Sequence, residues 1–146
     1  MTTTTNRPQP LLQLGGSTVT EHLGGEQTDG PVALLEFRTE PGYPVPPVHI
    51  HEHEDEITYV LEGALEVTIG EETTAVCPGQ SIFKPRGIPH AFAIAGDRPV
   101  RFLETITPAG FERYFRAMAE TLRAGGSIDR GVADQLMAEY GLRNAG

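Results

Sequence analysis

Four of the five histidines in this chain fall in two short windows, His49-Ile50-His51-Glu52-His53 and the segment ending in Ile88-Pro89-His90. Residues two apart on a β-strand share a face, so His49 and His51 aim two imidazoles at one point while Ile50 faces away. The polar run from Glu52 to Asp55 reads as a hairpin loop, with a second strand starting near Glu56 that returns this carboxylate beside the histidine pair. His53 is then a solvent-facing loop residue. In the second window Pro85, Gly87 and Pro89 force a tight turn, which fixes the direction in which His90 leaves the backbone. Imidazole and carboxylate are suitable ligands for Zn, Fe, Ni, Mn or Cu. His49, His51, Glu56 and His90 around one divalent transition metal ion would leave open positions for water or substrate. The competing reading is a solvated acidic loop and a turn histidine, with no metal between them. His22 stands alone in a polar stretch and reads as structural or solvated. Cys77, in a short apolar run before Pro78, reads as a buried and inert thiol.

The elements that must position these groups are legible in the apolar pattern. From Pro31 onward the runs VALLEF, ITYVL, ALEVTI, TTAVC, SIF, HAFAI and VRFLETI are short and bounded by Gly, Pro, Asp or Glu. Leu65, Val67 and Ile69 alternate with Glu66 and Thr68, as in a strand with one face in a core. Seven or eight strands at this spacing predict a sandwich or barrel. After Pro108 the period changes: Phe111, Tyr114, Phe115, Met118 and Leu122 recur at helical steps, and Gly125 and Gly126 stop them. Ser127 and Asp129 offer N-caps for a second helix carrying Val132, Leu136 and Tyr140, with Gly141 as its stop. These stripes are expected to dock two helices on the outside of the β-core or on a partner subunit. The resulting division is a flexible tail over 1–15, a β-barrel over 16–107 and a helical extension over 108–146.

Composition narrows the function classes. At 146 residues one domain is expected. A formal charge of -9 repels phosphate backbones, so nucleic acid is not an expected partner. No apolar run approaches the roughly 20 residues that a membrane helix needs. MTTTTNRPQP lacks the basic and apolar regions of a secretory signal, and one cysteine cannot form an internal disulfide, so a cytoplasmic protein is expected.

The spacing of the two windows carries a resemblance. Gly42, His49, His51, Glu56 and Gly63 follow one another with gaps of six, one, four and six residues. That series is similar to the first cupin motif, with one extra residue after the leading glycine. Gly79, Pro85, Gly87 and His90, with gaps of five, one and two, resemble the second motif, and fifteen residues separate Gly63 from Gly79. Ile94 departs from the pattern where the second motif often carries Asn. The resemblance implies an all-β, double-stranded β-helix or jelly-roll barrel, here with two C-terminal α-helices. Inside it a divalent metal would be held by His49, His51, Glu56 and His90.

Among small cupins, PPVHIHEHEDEITYVLEGALEV, PRGIPHAFAI and PAGFERYF look most similar to the quercetin 2,3-dioxygenase-like group. The resemblance implies a metal-dependent dioxygenase acting on a flavonol-like enol, with Glu56 as both ligand and general base. A non-oxidative cyclase, isomerase or decarboxylase would use the same Lewis acid and base. A barrel that binds a small molecule without turnover is the third reading, because one fold hosts many functions. By parity, Thr58 and Val60 share the face of Glu56, and Phe92 and Ile94 that of His90, so these four are candidate pocket walls; the alternative is ordinary barrel core. Ile57, Tyr59 and Leu61 point the other way and need cover, from a second subunit in a homodimer or from the terminal helices.

Overall fold

The computed structural model describes residues 5–145. Its strands are β1 (Gln9–Leu14), β2 (Ser17–Leu23), β3 (Ala33–Thr39), β4 (His49–His51), β5 (Asp55–Glu62), β6 (Ala64–Ile69), β7 (Glu72–Val76), β8 (Ser81–Lys84), β9 (His90–Ala95), β10 (Val100–Thr107) and β11 (Leu142–Asn144). Among the described residues there are three helices, α1 (Gly25–Thr28), α2 (Glu112–Arg123) and α3 (Arg130–Glu139). The strands form two antiparallel sheets, ordered β1-β2-β3-β10-β5-β8 and β11-β4-β9-β6-β7. Together they make the jelly-roll barrel that the resemblance implies, followed by the two predicted helices.

Period-two patterning explains why the sheets face each other. In β10 every second residue is buried, Val100, Phe102, Glu104 and Ile106, and in β5 the inward set is Glu56, Thr58 and Val60. Val60, Leu65, Val67, Val76, Val100 and Phe102 form one core cluster. A second, built on Leu12, Leu35, Ile106, Phe111 and Met118, joins the barrel to α2. Burying side chains of this size contributes roughly 1.5–3 kcal/mol each. The β5–β6 turn requires Gly63: at its φ of 72° a Cβ would lie 2.5 Å from the Pro99 carbonyl oxygen.

Several expectations need correction. The predicted tail over 1–15 is not flexible throughout, because Gln9–Leu14 pairs with β2 and buries Leu12; residues 1–4 lie outside the described residues. A Pro-containing stretch reads as tail, yet an edge strand tolerates Pro10 because one side of its ladder is open. From Pro31 onward the described residues form nine strands where seven or eight were expected, the three-residue β11 leaving no alternating run to read, and β1 and β2 precede them. Cys77 is exposed, because β7 ends at Val76 and the chain turns at Pro78. Glu54, read as part of a solvated loop, is only 5% exposed. His53 is exposed, as expected. His22 is half-buried and contacts the Glu36 carboxylate at 3.0 Å. Among the described residues, no helix is long and apolar enough to cross a membrane.

Candidate metal centre and its cavity

The register between β4 and β9 pairs His49 with His90, and His51 follows on the same face of β4. The three rings therefore cluster, with centroids 4.5 Å apart for His49–His90, 5.2 Å for His49–His51 and 5.3 Å for His51–His90. One ligating nitrogen from each lies within 4.8 Å of the others, close enough for one ion. The remaining nitrogen of each ring is held from behind. His49 Nδ1 donates to the Pro47 carbonyl at 2.8 Å, His51 Nδ1 to the Glu54 carboxylate at 2.7 Å, and His90 Nδ1 to the Ile88 carbonyl at 3.3 Å. Such acceptors place the proton on Nδ1 and leave Nε2 free to bind a cation.

The donor set fits a divalent transition metal. His90 Nε2 is buried without a hydrogen-bond partner, a state that costs about 1–3 kcal/mol and that a coordinated ion relieves. Glu56 Oε1 lies 3.0 Å from His51 Nε2 and 3.3 Å from His90 Nε2, so the carboxylate shares the centre. Burial opposes its charge, but Lys84, His51 and His90 outweigh burial and hold the Glu56 carboxyl well below the usual range. Burial pulls His49 down to about 4, leaving a neutral imidazole at neutral pH. Burial acts the same way on His51, but Glu54 and Glu56 overcome it and raise this group to about 9. An incoming ion therefore competes with a proton on His51.

The centre opens into a cavity of about 560 Å³. Its polar lining includes the three histidines, Glu56, Lys84 and Glu104, with Arg130, Asp134 and Asn144 also on the lining; much of the rest is apolar, including Phe37, Phe92, Phe102, Phe111, Tyr114 and Met118. Of the four residues predicted to wall a pocket, Phe92 lines this cavity, whereas Thr58, Val60 and Ile94 do not. Thr58 and Val60 are 2% and 0% exposed, and Ile94 packs against the core cluster that contains Val60. Parity gives the face of a strand but not the depth, and at Thr58, Val60 and Ile94 the barrel is already filled.

Three residues missing from the sequence reading complete the site. Glu54 orients His51 from three residues away, a spacing that a search for carboxylates behind candidate ligands would have caught. Lys84 is paired with Glu56 across β5 and β8, and its Nζ lies 3.0 Å from Glu104 Oε1 and 3.8 Å from Glu56 Oε1. Glu104 was visible as a charge at an inward position between Phe102 and Ile106. The helices were expected to pack outside the barrel; instead Phe111, Tyr114, Phe115 and Met118 of the α2 segment both dock on the core and line the cavity. The Phe111 ring meets His51 edge-on at 4.5 Å.

Comparison with known proteins agrees with this geometry. Residues 35–106 match the family model described as Cupin domain. No curated protein matches the chain. Among solved structures, the polyketide cyclase RemF from Streptomyces resistomycificus is 30% identical, covering 70% of this chain and 73% of its own, with a TM-score of 0.55. KdgF from Halomonas sp. is 21% identical over 74% of this chain and 93% of its own, with a TM-score of 0.61. A predicted oxalate decarboxylase from Thermotoga maritima is also 21% identical, over 74% of this chain and 99% of its own, with a TM-score of 0.59. These last two likenesses concern the fold. With two jelly-roll sheets, three histidines converging from β4 and β9, and the domain match spanning both motifs, the chain belongs to the cupin family.

Proposed function

We propose that this cupin is a metal-dependent enzyme acting on an enolic or aromatic small molecule, by non-oxidative, cyclase-type chemistry. The observation that carries the reading is a buried carboxylate, Glu56, shared between a three-histidine centre and an aromatic cavity. A divalent ion held by His49, His51, His90 and Glu56 would supply Lewis-acid polarisation of a substrate oxygen. Glu56 Oε1 is the general base, taking a proton from an enolisable carbon or its hydroxyl. The charge of Lys84 keeps Glu56 in the basic carboxylate form. Phe92, Phe111 and Tyr114 supply an apolar wall that orients a planar ring system and excludes water from the reacting carbon.

Cyclisation is favoured by the 30% identity to a polyketide cyclase and by the acid–base set itself, which moves protons and needs no oxidant. Oxygen-dependent cleavage of a flavonol-like enol is the second reading, supported by the likeness of the two motif windows to the quercetin dioxygenase group. The test is incubation of the metal-loaded protein with flavonols and polyketide-like phenols, followed by an oxygen electrode and by mass spectrometry. The expected result is a cyclised product without oxygen uptake, at least 100-fold slower in Glu56→Gln. Oxygen consumed in step with product establishes the dioxygenase instead. Tight binding of these compounds with no turnover overturns both and leaves a binding protein.

A further inference from the structure

Lys84 and Glu104 reach toward one another from β8 and β10 across the inner face of the intervening strand β5. Both side chains are at least nine-tenths buried, and both line the cavity. Replacing a buried ion pair by apolar residues of similar volume is often neutral or stabilising, so the fold alone does not account for keeping this one. Its hydrogen-bond inventory is incomplete. Lys84 carries three N–H donors; Glu104 lies at 3.0 Å, whereas Glu56 at 3.8 Å is beyond hydrogen-bond reach. Glu104 accepts from Thr58 Oγ1 at 3.0 and 3.1 Å and still has lone pairs to spare.

The charges around this point define what can join it. Burial raises the Glu104 carboxyl to about 7, so above that pH two carboxylates, Glu56 and Glu104, flank one ammonium. In the metal-free chain a ligand carboxylate beside Lys84 would bring a third negative charge next to these two, which is costly in a buried site. A neutral O–H meets no such repulsion: its oxygen accepts from Lys84 and its proton goes to Glu104. A ligand that fills the apolar walls and satisfies both groups is therefore aromatic and hydroxylated.

We propose that Lys84 and Glu104 form a second polar anchor in the cavity, which binds a neutral hydroxyl of an aromatic ligand and rejects the corresponding carboxylate. Glu56 lies between this anchor and the histidine centre, so a ligand engaging both carries two oxygens. The inference rests on the reading of the cavity as the ligand site, and not on the reaction assigned to Glu56.

The test is calorimetric binding to the chelator-treated full chain, using 2-naphthol, its methyl ether 2-methoxynaphthalene, and 2-naphthoate. The native chain is expected to bind 2-naphthol at least 10-fold more tightly than the ether, which has no proton to donate. In Lys84→Met/Glu104→Leu the two should bind within about two-fold of each other. Glu104→Gln removes the repelling charge while keeping an acceptor, and 2-naphthoate should gain about 10-fold. Should melting curves show that the double variant is unfolded, Glu104→Gln decides alone. Equal binding of naphthol and ether by the native chain, a preference that survives the double variant, an unchanged naphthoate affinity in Glu104→Gln, or no binding of any probe overturns the proposal. These measurements involve no turnover. A naphthol preference in a protein that turns nothing over refutes the reaction and leaves the anchor standing, while turnover without the preference does the reverse.

Discussion

At the scale of single residues, the centre depends as much on what stands behind the histidines as on the histidines themselves. Glu54 is buried beside His51 and fixes which ring nitrogen faces the centre. Replacing it by Gln keeps the volume but removes the charge, and partners of this kind typically contribute 10–100-fold to metal affinity. Glu54→Gln should therefore lower metal affinity by about that factor, measured by competition against a chromogenic chelator; a change under two-fold would show that Glu54 serves the fold alone. The histidines and Glu56 were legible in the sequence because parity and turn chemistry act over a few residues. Glu54 was hidden in an acidic run that looks solvated, and only its three-residue spacing from His51 sets it apart from its neighbours. Lys84 and Glu104 lie 20 positions apart, and only the pairing of both strands with β5 brings them together.

At the scale of elements, the alternating strands and the two long helices could be read from periodicity, because repeated side-chain patterns survive without tertiary context. The three-residue β11 has no pattern of its own, and it forms by pairing with β4. The role of the helices was missed for a related reason: an apolar stripe shows that a face is buried but not what it faces. α2 is tied back to α1 by buried Glu112, which accepts from the Gly25 and Gly110 amides at 2.7 and 2.5 Å. A second tie joins Arg116 to Glu26 at 2.8 Å, with Glu21 alongside. The Arg116 hydrogen bond holds the Glu26 carboxyl down at about 2 instead of 4.5. A depressed carboxyl stabilises the fold above its ordinary pKa and loses that contribution as pH falls toward the folded value. Because the pair is partly exposed, its worth is not above about 1 kcal/mol. Denaturant titrations of native chain and Glu26→Gln should differ by a few tenths of a kcal/mol or more at pH 7 and converge by about pH 2. A difference that does not shrink on acidification would rule out this ion pair as its source.

At the scale of the whole molecule, the helices leave one apolar face uncovered. Ile57 and Phe83 are paired across β5 and β8 at 40% and 54% exposure, with Tyr59 beside them at 42%. α2 packs at the opposite end of that sheet, against β1, so the helices do not supply the cover that the sequence left open. The expected homodimer accordingly falls on this face. Sedimentation should give about twice the 15.8 kDa of one chain, and Phe83→Glu should return it to a monomer. A native monomer removes the expectation.

The histidine-bearing strand β4 meets β9 only at His49–His90, but it is zipped along its whole length by β11, with Leu142 opposite His51 and Asn144 opposite His49. Residues almost a hundred positions downstream thus finish the wall on which two ligands stand. During synthesis on the ribosome, the barrel strands emerge first, and this wall stays unzipped until that late segment has left the exit tunnel. Any metal capture at this centre would for that reason wait on residues 142–144: a barrel cut short before residue 142 would expose its imidazoles without the backbone that aims them.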